Sequence, residues 1–61
     1  MSKFAEFKDK ETNQPVAINP EHIVRFESSR DDPSLTNIHL IDGSIIMVKN
    51  VYTEIRDKLR T

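Results

Sequence analysis

The chain has 61 residues, three prolines, one glycine and no cysteine, with nine basic residues against ten acidic ones. The missing thiols exclude a disulfide and a cysteine metal site. A near-neutral balance lacks the strong basic excess typical of nucleic-acid modules, whose pI exceeds about 9.

No stretch approaches the ~20 apolar residues that cross a bilayer. The N-terminal MSKFAEFKDK has no apolar core of a signal peptide, so the expected location is the cytoplasm. A chain this short buries only about 60% of the surface its unfolded form exposes. Its core therefore supplies roughly 3–5 kcal/mol net, and small domains commonly need a staple. With no disulfide, and with His22 and His39 isolated from other metal ligands, the remaining staple is a second copy. The expectation is one small domain over residues 1–61, acting as a homo-oligomer, with a dimer favoured.

The first strand is expected at about residues 3–8, with Ala5 and Phe7 on one face and Phe4 and Glu6 on the other. Phe4 and Phe7 cannot both turn inward, which leaves one at an edge or on a partner. The polar DKETNQ run, Asp9 to Gln14, reads as the loop of a wide hairpin. Pro15 can open the second strand, about 15–19, because a first residue need not donate to the ladder. Val16 and Ile18 then share its inner face.

Asn19-Pro20-Glu21-His22 has type I turn chemistry, with Pro20 presetting φ and the Asn19 side chain accepting from the backbone. A third strand follows at about 23–28. Strict alternation puts Val24 and Phe26 on one face and Ile23, Arg25 and Glu27 on the other. Ser29 to Leu35, SRDDPSL, reads as a loop and as the most mobile stretch.

The strongest local signal is Asp42-Gly43 between two apolar strands at about 36–41 and 44–49. A two-residue turn sets Leu40 opposite Ile45. A three-residue loop with a glycine bulge sets Leu40 opposite Ser44, Ile38 opposite Ile46 and Thr36 opposite Val48. The bulged register is favoured, with Ile38, Leu40, Ile46 and Val48 inward. In either register the run Ile45 to Val48 is apolar on both faces, and Ile41 points opposite to Leu40. The last element is a helix at about 51–60, with Asn50 as its N-cap. Tyr52, Ile55 and Leu59 form its apolar stripe. The fold class is mainly β or α+β: an antiparallel meander of about five strands and one C-terminal helix.

No catalytic constellation can be assembled, so no enzyme activity and no cofactor or metal are expected. His39 alternates with Ile38 and Leu40 and reads as a half-exposed strand histidine; His22 reads as a solvated turn residue. Asp31 and Asp32 lack the alternating ligands and glycine of a calcium loop. Phe4, Phe7, Phe26 and Tyr52 are needed for the core before any base stacking. The feature above background is the second apolar face, since exposed contiguous apolar surface marks interaction sites. Its candidate residues are His39, Ile41, Ile45, Ile46 and Met47. An unidentified protein partner would use the same face. A competing reading is a nucleic-acid-binding regulator of transcription or motility, with Lys3, Lys8, Lys10, Arg25 and Lys49 on phosphates.

The stretches VAINPEHIVRFE and TNIHLIDGSIIMVKNVYTEIRDKL resemble the small flagellar FlbD-like proteins and related short proteins of bacteria and phages. The shared plan is an I-N-P-x-x-I turn and strand, a strand ending in Asp-Gly, a strand ending in Val-Lys, and a terminal helix. It covers Val16 to Leu59. The resemblance implies a link to motility regulation and brings no catalytic residues. A weaker similarity runs to the first half of the LytTR DNA-binding domain, with Ile23, Phe26 and Glu27 at matching places. That domain continues for several more strands, and with the neutral charge this makes nucleic acid an unexpected partner.

Overall fold

The computed structural model describes residues 4–60. Its described residues form five strands, one α-helix and a short 3-10 turn at Pro20–His22: β1 Ala5–Lys8, β2 Pro15–Ile18, β3 Ile23–Ser28, β4 Thr36–Leu40, β5 Ile45–Val48 and α1 Tyr52–Arg60. The strands form two antiparallel sheets, β1-β2 and β3-β4-β5. This is the small α+β fold that the alternating runs and the terminal amphipathic stripe imply. The expected start of the first strand at Lys3 lies outside the described residues.

The two sheets are stitched where β1 meets β5. Asp9 bridges Val48, the Lys49 N–H donates to the Lys8 carbonyl at 2.7 Å, and the Lys10 N–H donates to the Met47 carbonyl at 2.9 Å. Between the sheets lie Ala5, Phe7, Ile18, Ile38, Val48 and Ile55, with Val16, Ile23, Phe26, Leu40, Ile46 and Leu59 packed against them. Phe7 takes the interior, and Phe4, one residue out of phase, is 63% exposed. The helix, too short to persist alone, is held by burial of Ile55 and by Tyr52, whose ring centroid lies 5.2 Å from that of Phe26.

The β4-β5 hairpin takes the bulged register: Ile38 faces Ile46, and Thr36 faces Val48. The Leu40 N–H donates to the Ser44 carbonyl, and the Gly43 N–H turns back to the Leu40 carbonyl, both at 2.9 Å. Gly43 has φ +92°, a left-handed conformation that side chains resist and glycine accepts. Asp42 fixes the loop further, its carboxylate accepting from the Ser44 N–H and the Ser44 hydroxyl. The same device closes the SRDDPSL loop, where Asp32 accepts from the Ser34 N–H and hydroxyl. That loop is tied at its base by the Ser29 N–H donating to the Leu35 carbonyl, with both residues buried.

Two local expectations are corrected. Strict alternation in β3 fails because the β3-β4 register shifts between Ile23 and Arg25. Val24 is the extra residue of a bulge, 65% exposed, while Ile23 turns in beside Phe26. A bulge inserts one residue without inverting the rest of the strand, so Ile23 and Phe26 share a face three positions apart. Asn50 also does not cap the helix. The first helical bond runs from the Ile55 N–H to the Val51 carbonyl, and the Asn50 side chain accepts instead from the Lys8 N–H at 3.0 Å.

Candidate functional site

The outer face of the three-stranded sheet is set by the register. Because antiparallel partners share a face, two rows cross it: Ile45–His39–Arg25 and Met47–Asn37–Glu27. The rows are graded from apolar on β5 to charged on β3. Ile45 is 60% exposed and Met47 36%, and Ile41 at the hairpin tip is 69% exposed. Ile46 points to the inner face, where it packs on the core. Of the five sequence candidates, Ile41, Ile45, Met47 and His39 are therefore at the surface, and Ile46 supports it from below.

His39 is half-buried between its neighbours. Its Nε2 lies 3.3 Å from Glu27 Oε2, close enough for Coulombic attraction, yet it makes no hydrogen bond of acceptable geometry. The Asn37 side-chain oxygen beside it likewise has no partner. Glu27 also lies 3.7 Å from Arg25. Glu27 is the acid that faces His39 here, and it is half-exposed rather than buried; no group of three or more metal-ligating side chains occurs among the described residues.

Beside the apolar row, the outer edge of β5 is covered at its Met47–Lys49 end by the Lys8–Lys10 segment and left open at Ile45. In an antiparallel ladder successive residues point their N–H and C=O to alternate sides. Leu40 bonds Ser44, so Ser44, Ile46 and Val48 face β4, while Ile45 and Met47 face outward. Lys10 takes the Met47 carbonyl and then the chain turns away, with the Asn13 N–H returning to the Asp9 carbonyl. A shallow groove of about 370 Å³ is left there, lined by Asp9, Lys10, Glu11, Ile45, Ile46 and Met47.

The basic candidates Lys8, Lys10, Lys49 and Arg25 fall at two separate places on the sheets. Lys8, Lys10 and Lys49 meet at the β1-β5 junction, but Asp9 and Glu11 alternate with them and the Lys49 ammonium donates to the Asn13 side chain at 2.8 Å. Arg25 lies on β3, at the other edge of the sheet, beside Glu27. Lys3 lies outside the described residues. His22 is exposed, and its carbonyl accepts from the Ile41 N–H at 2.8 Å.

The carboxylates of Asp42 and Asp32 are held below the usual range, chiefly by the hydroxyls of Ser44 and Ser34 and next by those residues' N–H groups. In each loop both bonds go to the carboxylate's Oδ1, which closes the turn. No helix among the described residues is long and apolar enough to cross a membrane. Comparisons with family models, with curated proteins and with solved structures returned no match.

Proposed function

We propose that this chain is a small non-enzymatic interaction or regulatory protein that works as a cytoplasmic homodimer. The observation that carries the reading is the exposed row Ile41, Ile45 and Met47 beside an open strand edge. A small soluble domain gains by covering such a surface, and a chain without disulfides has few other sources of stability. The second copy packs on the β5 side of the outer face, with Ile45 near the centre. Kinship with the FlbD-like proteins of bacteria and phages, and with it a link to motility control, rests on the I-N-P turn, the Asp-Gly hairpin and the terminal helix.

An NMR dilution series tests the contact. The amide signals of Ile41, Ile45 and Met47 are expected to move together as the protein is diluted, while those of Ala17 on β2 stay in place. Shifts spread evenly over the chain, or none at any concentration, would remove the case for this surface.

A further inference from the structure

A different edge carries a second contact. β3 is the longest strand, yet none of its residues is fully buried; within the sheet it pairs only with β4, and α1 packs against it through Tyr52 and Phe26. The Ser29 N–H bonds Leu35 across that pair. Alternation from there directs the N–H and C=O of Glu27 and Arg25 toward β4, and those of Phe26 and Ser28 to the free side. No described residue pairs with the main chain of Phe26 on that side. Long open edges are liabilities that proteins blunt or pair. Here the Val24 bulge blunts one end and leaves Arg25 to Ser28 regular.

We propose that the β3 edge pairs antiparallel with the same edge of a second copy, with Phe26 on the two-fold axis. The charge pattern selects both the occupant and the register. With Phe26 opposite Phe26, Arg25 of each copy faces Glu27 of the other, twice across the axis. A shift of two residues one way sets Arg25 against Arg25, and the other way sets Glu27 against Glu27. Like charges directly opposite destabilise a strand pair, and opposite charges stabilise it. The central pair exchanges two main-chain hydrogen bonds at Phe26. Tyr52, stacked on Phe26 and 39% exposed, brings apolar surface to the same edge, as does Val24 at 65%.

This contact lies on the far side of the sheet from Ile45 and is independent of the β5 contact. It is also the weaker one, because exposed ion pairs contribute little. The β5 contact acts at low micromolar concentration, and β3 pairing adds further copies as concentration rises toward millimolar. Isologous contacts at two separate surfaces build dimers of dimers or longer assemblies.

The test is sedimentation velocity from micromolar to millimolar concentration on the wild type, R25E, E27R and the exchanged double variant R25E/E27R. Both side chains are well exposed, at 67% and 46%, and circular dichroism checks that each variant keeps its fold. The expected result is that either single variant loses the growth in mass at high concentration while keeping the low-concentration species. The double variant, which restores opposite charges across the axis, regains that growth. Equal growth in all four proteins, or none in the wild type, overturns the β3 pairing. An Ile45→Lys variant separates the two contacts: it removes the low-concentration species and leaves the charge-dependent growth.

Discussion

The hydroxyl of Thr36, fully buried at the start of β4, donates to the main-chain carbonyl of Asn50 at 2.7 Å. The side chain of Asn50 accepts in turn from the Lys8 N–H. One residue between β5 and α1 thus ties β1 and β4 together at the end of the core opposite the Asp42-Gly43 tip. Replacing Thr36 by valine keeps the volume and leaves the carbonyl without that donor. The expected loss is about 1–3 kcal/mol, read as a lower urea midpoint at unchanged slope. Asn50→Asp keeps an acceptor for Lys8 and is expected to stay closer to wild type than Asn50→Ala.

The bulge at Val24 makes an unusual prediction for an apolar residue in a strand. Val24→Thr is expected to shift stability by no more than about 0.5 kcal/mol, as for other surface positions. Phe26→Ala, two residues on, removes a ring packed on the core and on Tyr52; about 3 kcal/mol is expected. Strict alternation buries Val24 beside Phe26 and predicts a clear loss for Val24→Thr as well, so denaturation of that variant decides between the register with a bulge and the one without.

Much of this architecture was readable in the residues, and the exceptions have physical causes. Asp42-Gly43 marks the hairpin because glycine best accepts the left-handed position that completes that loop, whereas the apolar runs on either side fit both registers and it is the strand pairing that fixes the bulged one. The inner positions Phe7, Ile18, Ile38 and Val48 follow from period-two alternation. Val24 was misplaced because alternation carries no term for an inserted residue; the hint was two apolar residues, Ile23 and Phe26, spaced by three. Asn50 has the right chemistry for a cap, but Lys8 competes for its side chain, and a partner 42 positions away leaves no local mark. At the surface, the pattern names His39, Ile41, Ile45, Ile46 and Met47, of which Ile46 packs inward against the core. The open β3 edge was not legible, because an edge depends on which strands lie beside it.

Gly43 has open space where a Cβ would sit, so the cost of a side chain there is conformational rather than steric. Gly43→Ala is expected to lower stability by about 1–2 kcal/mol, the penalty for a left-handed L-residue. Gly43→Asn should lose less, since asparagine tolerates that region better. Thermal or urea melts of the two variants check the order.

The turn at Asp42 should also respond to acid. Its folded-state carboxyl is held below the ordinary value, first by the Ser44 hydroxyl and then by the Ser44 N–H. A depressed carboxylate contributes stability that is complete above the unfolded value, near pH 4, and is lost as pH falls through the folded one. An NMR titration of Asp42 is expected to show a midpoint below that of an unstructured aspartate. Ser44→Ala should move the midpoint upward, toward the ordinary value. An unchanged midpoint in that variant would show that the hydroxyl does not hold the charge.

The most direct test of the account is sedimentation velocity of the wild-type protein at low micromolar concentration, beside an Ile45→Lys variant of unchanged circular dichroism. The account predicts a dimer for the wild type and a folded monomer for the variant. A wild-type chain that sediments as a stable, folded monomer under those conditions would contradict it.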